Sequence, residues 1–225
     1  MVILLASYPR SGNTWFRALA HVMFGIRGAD CHHPSGELSK EAGLRELGLL
    51  IGQSSLAHVE ESSLGFLKTH EMADDDDQRP AICLVRDGRD AYVSYAHFAL
   101  TFSPNPSGVD FQTQLRTMVQ STDFFGGWSR NVESWLARKS PTVIVRYEDM
   151  LADPNQCLRE SMERLGVRVP ATGKRPPEFG ELKKMEPNFF RKGKAGSWRE
   201  EMTPEIEDLF WTHHGATMTR LEYAR

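Results

Sequence analysis

Val2-Ile3-Leu4-Leu5-Ala6 followed by Ser7-Tyr8-Pro9-Arg10-Ser11-Gly12-Asn13-Thr14-Trp15 decides the fold. The first run is a short apolar strand, and the second breaks it with a turn. Phe16-Arg17-Ala18-Leu19-Ala20-His21-Val22-Met23-Phe24 then continues as a helix. A strand, a turn of small residues and a helix N-terminus together make an anion site. Unpaired backbone N–H groups and the positive end of the helix dipole converge there. Pro9 and Gly12 shape the turn, Arg10 adds a charge, and Ser11 and Thr14 add hydroxyl donors. An ordinary strand–turn–helix without a ligand has the same outline. The stretch lacks a Gly-Lys-Ser/Thr ending, which disfavours plain use of ATP and Mg²⁺.

The chain has 225 residues, 40% hydrophobic and 25% charged, which fits one globular domain over residues 1–225. Its net charge of −3 gives no global basic field of the kind that attracts nucleic acid. No apolar run approaches the ~18–20 residues of a membrane span, and the opening Met1-Val2-Ile3-Leu4-Leu5 lacks the basic start of a signal peptide. Cys31, Cys83 and Cys157 are odd in number and far apart, so a disulfide framework is not expected and a reduced, cytoplasmic setting is. Cys31-His32-His33 has no second ligand pair at metal-binding spacing, so no metal is expected.

Further along, Gly25 to Glu37 reads as a loop. Leu38 to Ile51 has helical spacing, with Leu44, Leu47 and Ile51 on one face. Phe66-Leu67, Ala81-Ile82-Cys83-Leu84-Val85 and Thr142-Val143-Ile144-Val145 read as further strands. Helices are expected from Asp90 through Phe98, over Phe111–Gln120 and over Trp128–Lys139. Asp153-Pro154 and Thr203-Pro204 have the cap and first-turn proline of helix starts, and Leu165-Gly166 closes the first of these. Asp74 to Asp77 reads as a solvated turn. Strands separated by helices predict a single-domain α/β fold with a central parallel sheet flanked by helices. Ligands in such sheets bind beyond the C-terminal ends of the strands. Arg10, Lys68 with His70, Arg86 and Tyr147 stand at four such ends.

Four stretches, in order, resemble the soluble, cytosolic PAPS-dependent sulfotransferases: Ser7-Tyr8-Pro9-Arg10-Ser11-Gly12-Asn13-Thr14-Trp15, Leu67-Lys68-Thr69-His70, Val85-Arg86-Asp87-Gly88-Arg89-Asp90-Ala91-Tyr92-Val93-Ser94-Tyr95, and Phe190-Arg191-Lys192-Gly193-Lys194-Ala195-Gly196-Ser197-Trp198. Tyr147-Glu148-Asp149-Met150 is a shorter fifth match, and the resemblance spans nearly the whole chain. It implies a sulfotransferase fold of the P-loop-NTPase-like kind. It also implies that the first loop, with Arg10, Ser11, Gly12, Asn13 and Thr14, cradles the 5′-phosphosulfate of 3′-phosphoadenylyl sulfate (PAPS). Arg86, Ser94, Arg191, Lys192 and Gly193 match positions that hold the 3′-phosphate. Trp15 and Phe179 match adenine-contacting aromatics, and Tyr147 and Leu182 match further adenine contacts. Packing and local ion pairs are the plain alternatives for these residues.

On the same resemblance His70 is the general base, and an imidazole with an ordinary pKa of ~6.5 suits proton removal near neutrality. Lys68 would steady the sulfonate oxygens. Arg10 stands where many members carry lysine, and its planar fork differs from a compact ammonium. No metal is implied, since a sulfonate carries less charge than a terminal phosphate. The acceptor would be a hydroxyl of a small molecule or natural product, with PAP as the other product. Tyr95, His97, Phe98, Phe102, Phe124, Phe125 and Trp128 are its candidate pocket residues. Arg199-Glu200-Glu201-Met202-Thr203-Pro204 matches the family's dimer motif poorly, which leaves the oligomeric state open. The competing readings are an ATP-dependent small-molecule kinase and a catalytically silent PAP-binding protein, and fold alone does not choose among them.

Overall fold

The structure is a computed structural model that describes residues 1–30, 49–51, 64–102, 108–185 and 190–225. Six parallel strands form its sheet: β1 (Val2–Ser7), β2 (Arg27–Asp30), β3 (Leu49–Ile51), β4 (Gly65–Thr69), β5 (Ala81–Val85) and β6 (Thr142–Arg146). Their order is β3-β2-β4-β1-β5-β6, which puts β1 at the centre between β4 and β5. The helices are α1 (Asn13–Phe24), α2 (Gly88–Phe102), α3 (Phe111–Gln120), α4 (Gly127–Ala137), α5 (Tyr147–Ala152), α6 (Pro154–Arg164), α7 (Phe179–Met185) and α8 (Pro204–Arg220). None of them is long and apolar enough to cross a membrane.

Strand β1 shows why its apolar run is continuous. Ile3 and Leu5 face one layer of core with Phe16 and Leu19 of α1, while Leu4 and Ala6 face the other with Tyr92, Trp128 and Phe210. A strand covered on both faces must be apolar at every position. The two capped starts form as the sequence predicts. Asp153 accepts from the Gln156 N–H and Thr203 from the Ile206 N–H, each ahead of a first-turn proline.

Two expectations are corrected. Arg27–Asp30, inside the expected loop from Gly25, is strand β2, held by pairing with β4 and β3 on its two sides. Leu49–Ile51, the end of the expected Leu38 to Ile51 helix, is strand β3, and the rest of that segment lies outside the described residues, as does Cys31-His32-His33. Local spacing favoured helix there, but the open edge of β2 supplies partners that a short strand needs.

Candidate active site

A cleft opens at the C-terminal ends of β1, β4 and β5, where the topology predicts a ligand site. Its walls include Arg10, Gly12, Asn13, Thr14, Trp15, Lys68, His70, Arg86, Ser94, Tyr147, Phe179, Arg191, Lys192 and Gly193, together with Pro9, Tyr95, Phe98, Phe125 and Phe190. The stretches singled out in the sequence thus converge on one place. Ser11 and Leu182 are the candidates that do not line it. Ser11 is fully buried under the turn, and Leu182 is fully buried in the core beside Trp15 and Phe190.

The turn between β1 and α1 is built by backbone geometry. Gly12 caps α1 with φ 98°, and a Cβ there would meet the Tyr147 ring at 2.7 Å. Arg10 also has positive φ, 66°, a conformation that costs a non-glycine residue about 1–2 kcal/mol. Neighbours hold it in place. Arg86 donates to the Arg10 carbonyl at 3.0 Å, Arg10 Nε donates to Ser94 Oγ at 3.2 Å, and the guanidinium lies 5.0 Å from the centre of the Phe98 ring. Burial, with Arg86 and Arg191 nearby, lowers the Arg10 pKa to about 10, which leaves it charged at neutral pH. Asn13 turns inward, donating to the Leu5 carbonyl at 2.9 Å and to Ser7 Oγ at 3.2 Å. Its side-chain amide nitrogen braces the turn.

Opposite this turn, His70 Nδ1 lies 2.7 Å from the Ser7 carbonyl. A carbonyl only accepts, so Nδ1 carries a proton, and when the ring is neutral Nε2 is its acceptor atom. Asn131 fixes the same segment by donating to the His70 carbonyl at 2.8 Å and to that of Phe125 at 3.2 Å, and the Phe125 ring tilts against the imidazole at 5.5 Å. Lys68 is buried, with Nζ 2.5 Å from Asp30 Oδ2. Burial lowers its pKa, Asp30 opposes that, and Arg17 and Arg10 add to the lowering.

The far end of the cleft combines cations with aromatic rings. Arg86 lies over the Tyr147 ring at 4.4 Å and donates to the Lys194 carbonyl at 3.1 Å, pairing with neither Asp87 nor Asp90. Those carboxylates serve elsewhere: Asp87 holds Arg89, and Asp90 accepts from Gly196, Ser197 and Trp198. Trp15, Phe179, Tyr147 and Phe190 make an edge-to-face ring cluster with centroids 5.7–6.0 Å apart. Gly193, φ 64°, lies so close that a Cβ would come within 2.3 Å of the Phe179 ring. Arg191 pairs with Glu201 at 2.7 Å, and Lys192 with Glu200 at 2.6 Å and Glu201 at 2.8 Å. The Nε atoms of Arg86 and Arg191 and the Trp15 Nε1 are buried donors without a partner among the described residues. Unpaired buried donors beside a concave aromatic wall fit a polyanionic nucleotide.

Of the acceptor candidates, Tyr95, Phe98 and Phe125 line the cleft, and Phe102 and Phe124 are exposed. Trp128 does not belong with them. It is wholly buried and donates to the Arg86 carbonyl at 3.2 Å, while His97 stacks on Phe111 and pairs with Glu201. Aromatic composition alone does not separate a wall residue from a core one. The sequence reading also missed Asp30 and Phe190. Only the Asp30↔Lys68 register could have found Asp30, whereas Phe190 adjoins Arg191 in a stretch already singled out.

A family profile described as a sulfotransferase domain matches residues 2–222. Sulfotransferase 1A1 of Rattus norvegicus is 24% identical, with 98% of this chain and 86% of the rat protein covered. Sulfotransferase 1E1 of Homo sapiens is 25% identical over 96% of this chain and 83% of the human protein. Among solved structures, a mouse sulfotransferase complexed with PAP superposes with a TM-score of 0.73 at 22% identity, over 99% of this chain and 89% of that one. A retinol dehydratase in complex with retinol and PAP gives 0.71 at 20%, over 100% and 83%. These two likenesses establish the fold, and the profile, which runs through every wall of the cleft, establishes the family. The chain belongs to the sulfotransferases and is an enzyme of sulfonate transfer.

Proposed function

We propose that the enzyme moves a sulfonate from PAPS to a hydroxyl of a small-molecule acceptor and releases PAP. The observation that carries this reading is the meeting, in one cleft, of the β1–α1 anion turn, His70 with Lys68, and the Arg86, Ser94, Arg191 and Lys192 cluster. Cations spread along one cleft beside an aromatic wall suit a nucleotide with phosphates at both 3′ and 5′ positions. The relatives whose structures contain PAP are consistent with it. PAPS, when bound, supplies the sulfonate already activated on a phosphate leaving group.

The chain's residues divide the remaining work. Backbone N–H groups at the start of α1 and the Arg10 guanidinium hold the 5′ end. Arg86, Ser94, Arg191 and Lys192 hold the 3′-phosphate, and Trp15, Phe179 and Tyr147 flank the base. His70, its Nδ1–H fixed on the Ser7 carbonyl, takes the acceptor's hydroxyl proton on Nε2 as the new oxygen–sulfur bond forms. Lys68 and Arg10 place positive charge where negative charge grows as the old sulfur–oxygen bond breaks. Tyr95, Phe98 and Phe125 give the acceptor an apolar wall.

Thermal-shift measurement with PAP against ATP–Mg²⁺, followed by transfer from radiolabelled PAPS to a panel of phenols and alcohols, tests the proposal. Stabilisation by PAP and labelled product are expected. Stabilisation by ATP–Mg²⁺ alone would replace it with the kinase reading. PAP binding without transfer to any acceptor would favour a silent binder.

A further inference from the structure

Strands β2 and β4 lie side by side with Asp30 directly opposite Lys68. Both side chains are buried, and Nζ is 2.5 Å from Oδ2. Arg17 of α1 reaches the same carboxylate oxygen at 3.9 Å, and it too is buried. Gly28, two residues before Asp30 and so on the same face of β2, leaves room for the Arg17 stem. A Cβ at Gly28 would meet Arg17 Cδ at 2.6 Å. One carboxylate thus stands between two buried cations, and only Lys68 of the three lines the cleft.

We propose that Asp30 is a positioning residue for sulfonate transfer: its carboxylate, fixed on β2 opposite Lys68, keeps the Lys68 ammonium charged and aimed at the reacting end of the cleft. The inference rests on the proposed role of Lys68 and adds what that role requires. An ammonium taken out of water loses its proton readily unless a fixed negative charge compensates. Among the described residues, the charged groups that act on Lys68 are Asp30 from β2, Arg17 from α1 and Arg10 from the turn after β1. Asp30 is the one anion among them, set against two guanidinium groups. An ammonium has three donors, so one given to Asp30 leaves two for sulfonate oxygens. Since β2 and β4 are hydrogen-bonded neighbours, the anchor does not drift as substrates enter and leave.

The test begins on the protein without nucleotide, by following Lys68 through its ¹³Cε NMR signal, assigned with Lys68→Met. In Asp30→Asn the Lys68 transition is expected to fall by one pH unit or more, and in Arg17→Met to rise, since a like charge is removed. In PAPS turnover, the alkaline limb of kcat against pH moves down by a similar amount in Asp30→Asn. The acid limb stays in place, and PAP affinity changes less than threefold. Asp30→Glu, which keeps the charge but displaces it by a methylene, is expected to keep Lys68 protonated and to lower kcat at least tenfold with little change in KM. An unmoved Lys68 transition in Asp30→Asn would overturn the proposal, as would wild-type kcat in Asp30→Glu. Should Asp30→Asn not fold, a wild-type Lys68 that titrates like an exposed lysine and ignores Arg17→Met overturns it equally. Wild-type protein that transfers nothing from PAPS would instead defeat the functional reading, and the nucleotide-free titration would still decide the role of Asp30.

Discussion

The two ends of the cleft pair cations with carboxylates in opposite ways. At the reacting end Lys68 and Asp30 are both buried, on adjacent strands of the sheet. At the far end Arg191 and Lys192 meet Glu200 and Glu201 around a 3₁₀ turn, Ser197–Glu200, where the Glu200 side chain is 60% exposed. A buried pair is costly to break, because removing one partner strands the other charge. A pair with an exposed partner, such as Lys192–Glu200, is worth about 0–1 kcal/mol and can be exchanged for a better anion, while Glu201 is more enclosed at 17% exposed. The difference assigns different work to like-looking residues. Fixed charge suits the chemical step, which gains from groups already in place, and exchangeable charge suits a ligand that must arrive and depart.

The largest expected effect lies at the buried end. Replacing His70 with alanine should lower kcat by about 10²–10⁴-fold, the span typical of a lost general base. PAP affinity by calorimetry should stay within about twofold, a margin well under 1 kcal/mol. Unchanged turnover would take His70 out of the mechanism and remove the contrast between the ends. At the far end Arg191→Ala should raise the Kd for PAP about 10–100-fold, from the loss of a charge-assisted contact of about 1.5–3 kcal/mol. With PAPS saturating, kcat should be nearly unchanged. A variant with normal PAP affinity and a low kcat would show that both ends act on chemistry.

How much of this was legible in the sequence follows from how local each feature is. The β1–turn–α1 unit, the end of β4 and the β5–α2 junction each carry an apolar run against a polar stretch, and all three are recognisable from their own residues. Residues that share the cleft could therefore be grouped before the fold was known. Strand β2 was not legible, because Arg27-Gly28-Ala29-Asp30 has no apolar run and becomes a strand only through its neighbours. Asp30 was hidden for the same reason, since its meaning lies in register with a residue far along the chain. The inward turn of Asn13 and the positive φ of Arg10 are likewise products of packing against Leu5, Ser7, Ser94 and Arg86. Trp128, an acceptor-pocket candidate, and Leu182, a match to an adenine contact, do not line the cleft, because a helix turns only some of its apolar residues toward a cavity.

The smallest effect is the most discriminating, because it reverses the usual sign of a lost ion pair. Glu201 accepts from Arg191 and Lys192 and pairs with His97, so its carboxylate occupies the cations that a 3′-phosphate would need. Burial raises its pKa, but those three partners outweigh burial and bring it from the ordinary 4.5 down to about 2. The carboxylate is therefore ionised throughout the working range, and its competition with a phosphate does not depend on pH there. Glu201→Gln should lower the Kd for PAP by about two- to fivefold, the scale of one partly buried ion pair. Stability should respond in the opposite direction. A depressed carboxyl stabilises the fold above its ordinary pKa, and this contribution fades as pH falls from 4.5 toward 2. Glu201→Gln should lose that contribution at neutral pH and show a shallower decline in Tm below pH 4.5 than the wild type. Weaker PAP binding in that variant would mean that Glu201 holds the clamp in shape. The far end would then be as preorganised as the Lys68–Asp30 pair, and the contrast between exchangeable and fixed charge would fail.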